Sequence, residues 1–300
     1  MTGTQPLESQ SAIVTGAGSG LGRSHAIRLA RAGADVVLSE HPDSASSAND
    51  TAAEIADSGG KARVILADVR DPLTGNHLVD NALDAFGRVD VVVVNAGVLR
   101  SSMFPDVSDG DWQLHSSVHV DAAFHLVRAA WPHMASRAYG RVVMTTSAGG
   151  LYGAHGLSAY GASKMGVVGL LRVLAAEAIG TGIVINAVAP LAWTPMSQAG
   201  GRTGSTAQIL GADRFATFAP EYVSEVVLLL STPDTPADGQ VFAAGGGRVA
   251  EVVIGETAGY NGPPLDWNGL REQWTTICDR TTVNYPTSMR TALAAFKNLD

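Results

Sequence analysis

The chain has a single cysteine, Cys278, among 300 residues, so no internal disulfide can form. Charge is sparse: Asp, Glu, Lys and Arg make up 16% of the residues, and 28 acidic groups outnumber 20 basic ones. A formal charge of −8 without clustered Lys and Arg excludes a broad nucleic-acid footprint. It leaves room for a local basic patch facing a phosphorylated substrate. No uncharged apolar run reaches the roughly 20 residues that a membrane helix needs. Residues 1–10 are polar and contain no apolar signal core. The expectation is a cytoplasmic protein with neither membrane nor nucleic-acid partners. Repeats, low-complexity segments and an interdomain linker are also lacking. A single domain over 1–300 is therefore expected, with a core over 11–247 and an extension over 248–300. The hydrophobic content of 46% suffices for a substantial core.

Short apolar runs alternate with amphipathic stretches. Strands are expected at 11–15, 35–39, 62–66, 89–94, 141–146, 183–188 and 240–243. Helices are expected at 23–32, 49–58, 77–86, 111–135, 159–179 and 220–230. The run Val89-Asp90-Val91-Val92-Val93-Val94 shows no apolar–polar alternation, which fits a strand covered on both faces. Strand–helix alternation of this kind predicts right-handed βαβ units and a doubly wound α/β fold, with a parallel sheet and helices on both faces. Residues 191–211, rich in Gly, Ser and Thr, suit a mobile loop. Residues 245–300 form a C-terminal extension carrying Tyr260, Trp267, Trp274 and Tyr285.

The first strand runs into Thr15-Gly16-Ala17-Gly18-Ser19-Gly20-Leu21-Gly22, and a helix follows. Glycines permit a tight turn and let backbone N–H groups approach a pyrophosphate. The helix start adds unpaired donors and the positive end of its dipole. Glu40 ends the second strand about 20 residues on, where a carboxylate accepts ribose hydroxyls and repels a 2′-phosphate. No Arg or Lys lies on that loop, so NAD is expected rather than NADP. Asp68-Val69 and Asn95-Ala96-Gly97 end the next two strands at the same carboxyl edge.

Tyr160 and Lys164 lie four residues apart on one helix face. A tyrosine is a poor base near neutrality, with a free pKa of about 10. A neighbouring ammonium favours phenolate, so Tyr160 can exchange a proton with a substrate hydroxyl. Ser147, just past the fifth strand, can hydrogen-bond the same oxygen. No metal site is expected.

In this order and across this length, the Gly-rich turn, Asn95-Ala96-Gly97, Ser147 and Tyr160-x-x-x-Lys164 resemble the short-chain dehydrogenase/reductase family over about 11–247. The resemblance implies a seven-stranded Rossmann-type sheet and a homodimer or homotetramer. It also implies an NAD site drawn from Gly16, Ser19, Gly20, Leu21, Gly22, Glu40, Asp68, Val69, Asn95, Ala96, Gly97, Tyr160, Lys164, Pro190 and Thr194. Ser147, Tyr160 and Lys164 are then the catalytic residues.

Two positions depart from the family pattern. Its fourth catalytic member, an asparagine, is matched by His119, which either holds a proton-relay water or is a helix residue without a chemical role. Its Pro-Gly after strand six is Pro190-Leu191, which leaves Thr194 to reach the cofactor phosphates. Val118-His119, the run from Met144 to Gly153, and Pro220-Glu221-Tyr222-Val223 resemble the (3R)-hydroxyacyl-CoA dehydrogenase domains of the multifunctional β-oxidation enzymes. So do Trp274 and Ile277-Cys278-Asp279 in the extension. That similarity implies oxidation of a 3-hydroxyacyl-CoA thioester with a fatty or steroid-derived chain. Arg100 and Arg202 are the candidates to meet CoA phosphates, with Met196, Arg202 and Gln208 on a covering loop. Tyr260, Trp267 and Trp274 either line an apolar pocket or pack the extension. A dehydrogenase of free steroids or polyols and a non-catalytic dinucleotide sensor are the alternatives. The intact Ser147, Tyr160 and Lys164 count against the sensor.

Overall fold

The computed structural model describes residues 5–198 and 206–293. In chain order its core elements are β1 (Ser11–Thr15), α1 (Gly20–Arg31), β2 (Asp35–Glu40), α2 (Ala45–Asp57), β3 (Ala62–Leu66), α3 (Thr74–Phe86), β4 (Val91–Val94) and α4 (Asp109–Ser116). A π-helical turn at Ser117–Asp121 leads into α5 (Ala122–Ser136), β5 (Gly140–Thr145), α6 (Ala148–Leu151), α7 (Ser158–Glu177) and β6 (Ile183–Pro190). Three short helices follow: α8 (Pro195–Gln198), α9 (Thr206–Leu210) and α10 (Ala212–Ala216). Then come α11 (Pro220–Ser231), β7 (Val241–Gly245) and β8 (Arg248–Val252).

The sheet order is β3-β2-β1-β4-β5-β6-β7-β8. Each pairing from β3 through to β7 is parallel. β1, β4 and β5 are buried along their whole length, as central strands between two helix layers are. On the helical layers, α1 packs with α2 and α11, and α3 packs with α5. The sheet has one strand more than the expected seven. β8 returns beside β7 through Gly246-Gly247, at φ +57° and +82°. Two residues of positive φ make a tight hairpin, so β8 runs antiparallel to β7.

The strand order reverses between β1 and β4. Crevices at such a point, outside the carboxyl ends of the strands, are where open α/β sheets bind ligands. The opposite edge is fastened by Asp90, fully buried, which accepts from the Ser11 N–H at 2.8 Å and pairs with Arg88.

The chain divides into two compact units, 1–251 and 252–300. In the second unit, β9 (Glu256–Thr257) pairs antiparallel with β10 (Val283–Asn284). Between them lie α12 (Trp267–Glu272) and α13 (Trp274–Ile277), and α14 (Met289–Leu293) follows. Trp267 and Trp274 are more than half exposed, and the Arg271 guanidinium lies 4.8 Å from the centre of the Trp267 ring. None of the described residues from 252 onward is buried.

Candidate active site

A cleft of about 670 Å3 opens at the carboxyl edge of the sheet. Every catalytic and cofactor residue expected from the sequence lines it except Gly22 and His119. The two exceptions stand directly behind the wall.

The Gly-rich turn is built by close approach. Gly16 and Gly20 have φ of +66° and +53°, values that favour glycine. A side-chain carbon on Gly22 would lie 2.0 Å from the Gly16 carbonyl oxygen and 2.6 Å from Asn95 Nδ2, so only glycine fits there. Asn95 ties the end of β4 to this turn: its Nδ2 donates to the Thr15 carbonyl at 3.0 Å. The Thr15 hydroxyl in turn accepts from the N–H groups of Asn95 and Ala96, both at 3.0 Å. Thr194 is brought against Gly20, where an added carbon would meet its Cβ at 3.3 Å. The Pro190-Leu191 departure is accommodated, because Leu191 N–H donates to the Ala244 carbonyl at 2.8 Å and continues the β6–β7 pairing.

Glu40 faces this turn. Its Oε2 accepts from Gly18 N–H at 2.7 Å and its Oε1 from His41 N–H at 2.9 Å. Arg70, on the neighbouring loop, lines the same cleft and escaped the sequence reading. It grips Asp68 through its side chain, and this ion pair holds the Asp68 carboxyl below the usual carboxylate range. The spacing Asp68-x-Arg70 after a strand was the available signal.

At the other end of the cleft, Ser147 caps α6 by accepting from Gly149 N–H at 3.1 Å. A carbon added to Gly149 would lie 3.6 Å from Ser147 Oγ and 3.7 Å from the Tyr160 ring, so both groups border one small space. Lys164 Nζ is 6.0 Å from the centre of that ring and donates to the Thr145 carbonyl at 2.9 Å. Burial lowers the Lys164 pKa to about 7. Taking an ammonium out of water disfavours its charged form.

His119 sits in the π turn, 2% exposed. Its Nε2 accepts from Val98 N–H at 3.1 Å, which fixes the tautomer, since a backbone amide can only donate. Nδ1 then donates to Ser163 Oγ at 2.8 Å, and that hydroxyl donates to the Tyr160 carbonyl at 2.8 Å. Burial, with the charges of Lys164 and His115 behind it, lowers the His119 pKa to about 2. The ring is neutral and both nitrogens are engaged. A relay water on His119 would have to displace one of these bonds. His115, one helical turn earlier, was missed; its separation of four residues from His119 was the signal.

Of the other expected residues, Arg100 lines the cleft with its guanidinium held 2.6 Å from Asp111, and Met196 also lines it. Gln208 lies in α9 and is not among the lining residues. Arg202 lies outside the described residues.

A Gly-rich turn, a switch-point cleft and a Ser–Tyr–Lys group define a dinucleotide-binding α/β oxidoreductase. The short chain dehydrogenase family profile matches residues 10–202. The chain belongs to that family. It is 36% identical over 295 residues to the peroxisomal multifunctional enzyme type 2 of Mus musculus, covering 95% of this chain and 38% of that protein. It is 35% identical over 271 residues to the hydroxyacyl-CoA dehydrogenase ChsB1 of Mycobacterium tuberculosis, covering 84% and 82%. The solved structure of the full-length peroxisomal multifunctional enzyme type 2 from Drosophila melanogaster superposes with a TM-score of 0.79 at 26% identity, over 96% of this chain and 49% of that one. The chain thus spans well under half of the mouse relative and about half of the fly one. The family acts on CH–OH groups, and family and fold together imply a nicotinamide dinucleotide cofactor. Among the described residues, no helix is long and apolar enough to cross a membrane.

Proposed function

We propose that this chain is an NAD-dependent dehydrogenase that oxidises the secondary alcohol of a 3-hydroxyacyl-CoA, with a fatty or steroid-derived acyl chain, to the ketone. The observation that carries the reading is the meeting of Ser147, Tyr160 and buried Lys164 in one cleft with the Gly-rich turn. The cofactor fits these residues. Gly16, Gly18 and Gly22 leave a backbone cradle that any added carbon would crowd, and Glu40 stands beside it. Backbone N–H groups at the start of α1 would hold the pyrophosphate. Glu40 would accept the ribose hydroxyls, and Asp68 and Val69 would border the adenine. NAD is favoured over NADP because a carboxylate stands at the ribose end, and the nearby Arg70 is committed to Asp68.

When bound, the nicotinamide supplies the hydride acceptor. The residues supply the proton path and the geometry. Tyr160 Oη takes the proton of the substrate hydroxyl, Ser147 Oγ donates to the same oxygen, and Lys164 stabilises the phenolate. His119 acts as a positioning residue through Ser163, which bonds to the Tyr160 backbone. The thioester reading draws on the hydroxyacyl-CoA dehydrogenase name of the mycobacterial relative. We propose further that the chain works as a homo-oligomer, since the exposed Trp267, Trp274 and Leu270 of the extension are surface that a second copy would cover.

A screen with NAD and 3-hydroxyacyl-CoA esters of graded chain size, each beside its free acid, tests the substrate. The thioester is expected to show at least a tenfold higher kcat/KM, roughly what 1.4 kcal/mol of added binding provides. Equal rates with the free acid, or with a free steroid alcohol, would reject the thioester and leave the dehydrogenase.

A further inference from the structure

The mechanism leaves one buried histidine beside the reacting tyrosine without a task. His115 is 1% exposed, on the last turn of α4. Its Nε2 accepts from Arg100 N–H at 3.1 Å, so that nitrogen carries no proton. Its Nδ1 therefore donates to the Asp111 carbonyl, 2.7 Å away. The Asp111 carboxylate in turn holds the Arg100 guanidinium at 2.6 Å. Arg100 is thus fixed at its backbone by His115 and at its side chain by Asp111.

His119 does the same for the residue two places earlier in that segment, accepting from Val98 N–H at 3.1 Å. The two spacings match. Four residues along a helix advance about 6 Å. Two residues of extended chain advance about 6.6 Å and return an N–H to the same side. Two histidine rings one turn apart can therefore receive alternate N–H groups of a segment running antiparallel to the helix. Residues 98–100 are that segment, and all three line the cleft. The same rings also frame Tyr160. Their planes stand nearly perpendicular to the phenol, with centroids 6.0 Å from it for His115 and 5.5 Å for His119.

We propose that His115 is a second positioning residue, which with His119 latches the cleft wall at 98–100 and sets that wall in register with the Tyr160 ring. The latch works only with the acceptor nitrogen of each ring unprotonated. It is expected to act mainly on the chemical step, because Glu40, Asp68 and the Gly-rich turn lie outside it and Asn95 is tied separately to Thr15. The proposal rests on the reading of Tyr160 as the proton carrier.

The test compares His115→Leu, of similar bulk but with no acceptor, with His115→Gln, whose amide oxygen can reach the Arg100 N–H. Turnover of a secondary alcohol, NAD binding and Tm are measured in both. The Leu variant is expected to lose about tenfold or more in kcat, as sub-ångström to ångström displacements at a reacting centre do. Its Kd for NAD should hold, and the Gln variant should recover most of the wild-type rate. Wild-type kcat in the Leu variant, or equal losses in Leu and Gln, would overturn the latch. If the Leu variant does not fold, His115→Asn takes its place, because its shorter amide cannot span to Arg100. A slow Asn beside a fast Gln supports the latch, and equal rates overturn it. Tyr160→Phe, assayed in parallel, separates the two levels: full activity there removes the site reading itself, whatever the His115 variants do.

Discussion

In the proposed reading, Glu40 serves both the fold and the choice of cofactor. It accepts from Gly18 and so braces the Gly-rich turn, and it presents negative charge where a ribose would lie. Replacing Glu40 by Ser together with His41→Arg should raise the ratio of NADP to NAD kcat/KM by about tenfold or more, since the repelling carboxylate is exchanged for a cation. Steady-state kinetics with both cofactors check this. A wild-type protein that already prefers NADP would contradict the role given to Glu40. The residues that line the cleft were largely legible in the sequence. Ser147, Tyr160, Lys164 and Glu40 carry distinctive chemistry at distinctive spacings. Arg70 and His115 left only a spacing as signal, because each acts through a partner that the spacing does not name: Arg70 through Asp68, His115 through the Arg100 N–H. A backbone donor leaves no trace in the sequence that faces it.

Among the elements, the boundaries moved where glycine and irregular helix were involved. The first helix was expected from 23, yet α1 begins at Gly20, inside the Gly-rich turn. The helix expected over 111–135 is present in two α segments joined by a π turn at Ser117–Asp121, which holds His119. No residue type in that stretch separates a π turn from an ordinary α turn, and such turns gather at functional sites. β8 did have a signal, the Gly246-Gly247 pair, but a strand of five residues after it is too short to stand out. The test at this scale is Gly22→Ala. Its added carbon would meet the Gly16 carbonyl at 2.0 Å, so the turn must open. A stability loss of about 1–3 kcal/mol is expected, with NAD affinity falling further than stability. Calorimetry and equilibrium NAD binding measure both, and unchanged NAD affinity would contradict the cradle.

For the whole molecule, buried titratable groups tie stability to pH. His25 of α1 bonds to Ser224 Oγ of α11 at 2.8 Å, and burial lowers its pKa to about 3. His119 is shifted in the same direction. Both take up protons more readily when unfolded, so between the ordinary histidine pKa and the folded value the unfolded state binds more protons. Stability is complete above about pH 6.5 and is lost as pH falls towards the folded values. Lys164, lowered to about 7 in the fold, adds stability as pH rises from there towards its ordinary value of about 10.5. Tm should therefore fall on acidification from about pH 7 to about pH 4. A His25→Gln variant should show a shallower fall, though not a flat one, because His119 remains. An unaltered slope would show that His25 does not carry this dependence.

In the proposed mechanism Tyr160 moves the proton in a cleft assembled independently of it. Single-turnover and steady-state NADH formation from a 3-hydroxyacyl-CoA, by the wild-type protein and by Tyr160→Phe, test it most directly when NAD binding is measured on the same samples. Tyr160→Phe is expected to lose about a hundredfold or more in kcat, with the Kd for NAD nearly unchanged, because the Gly-rich turn and Glu40 are untouched. Retention of more than about a tenth of the wild-type kcat would contradict it.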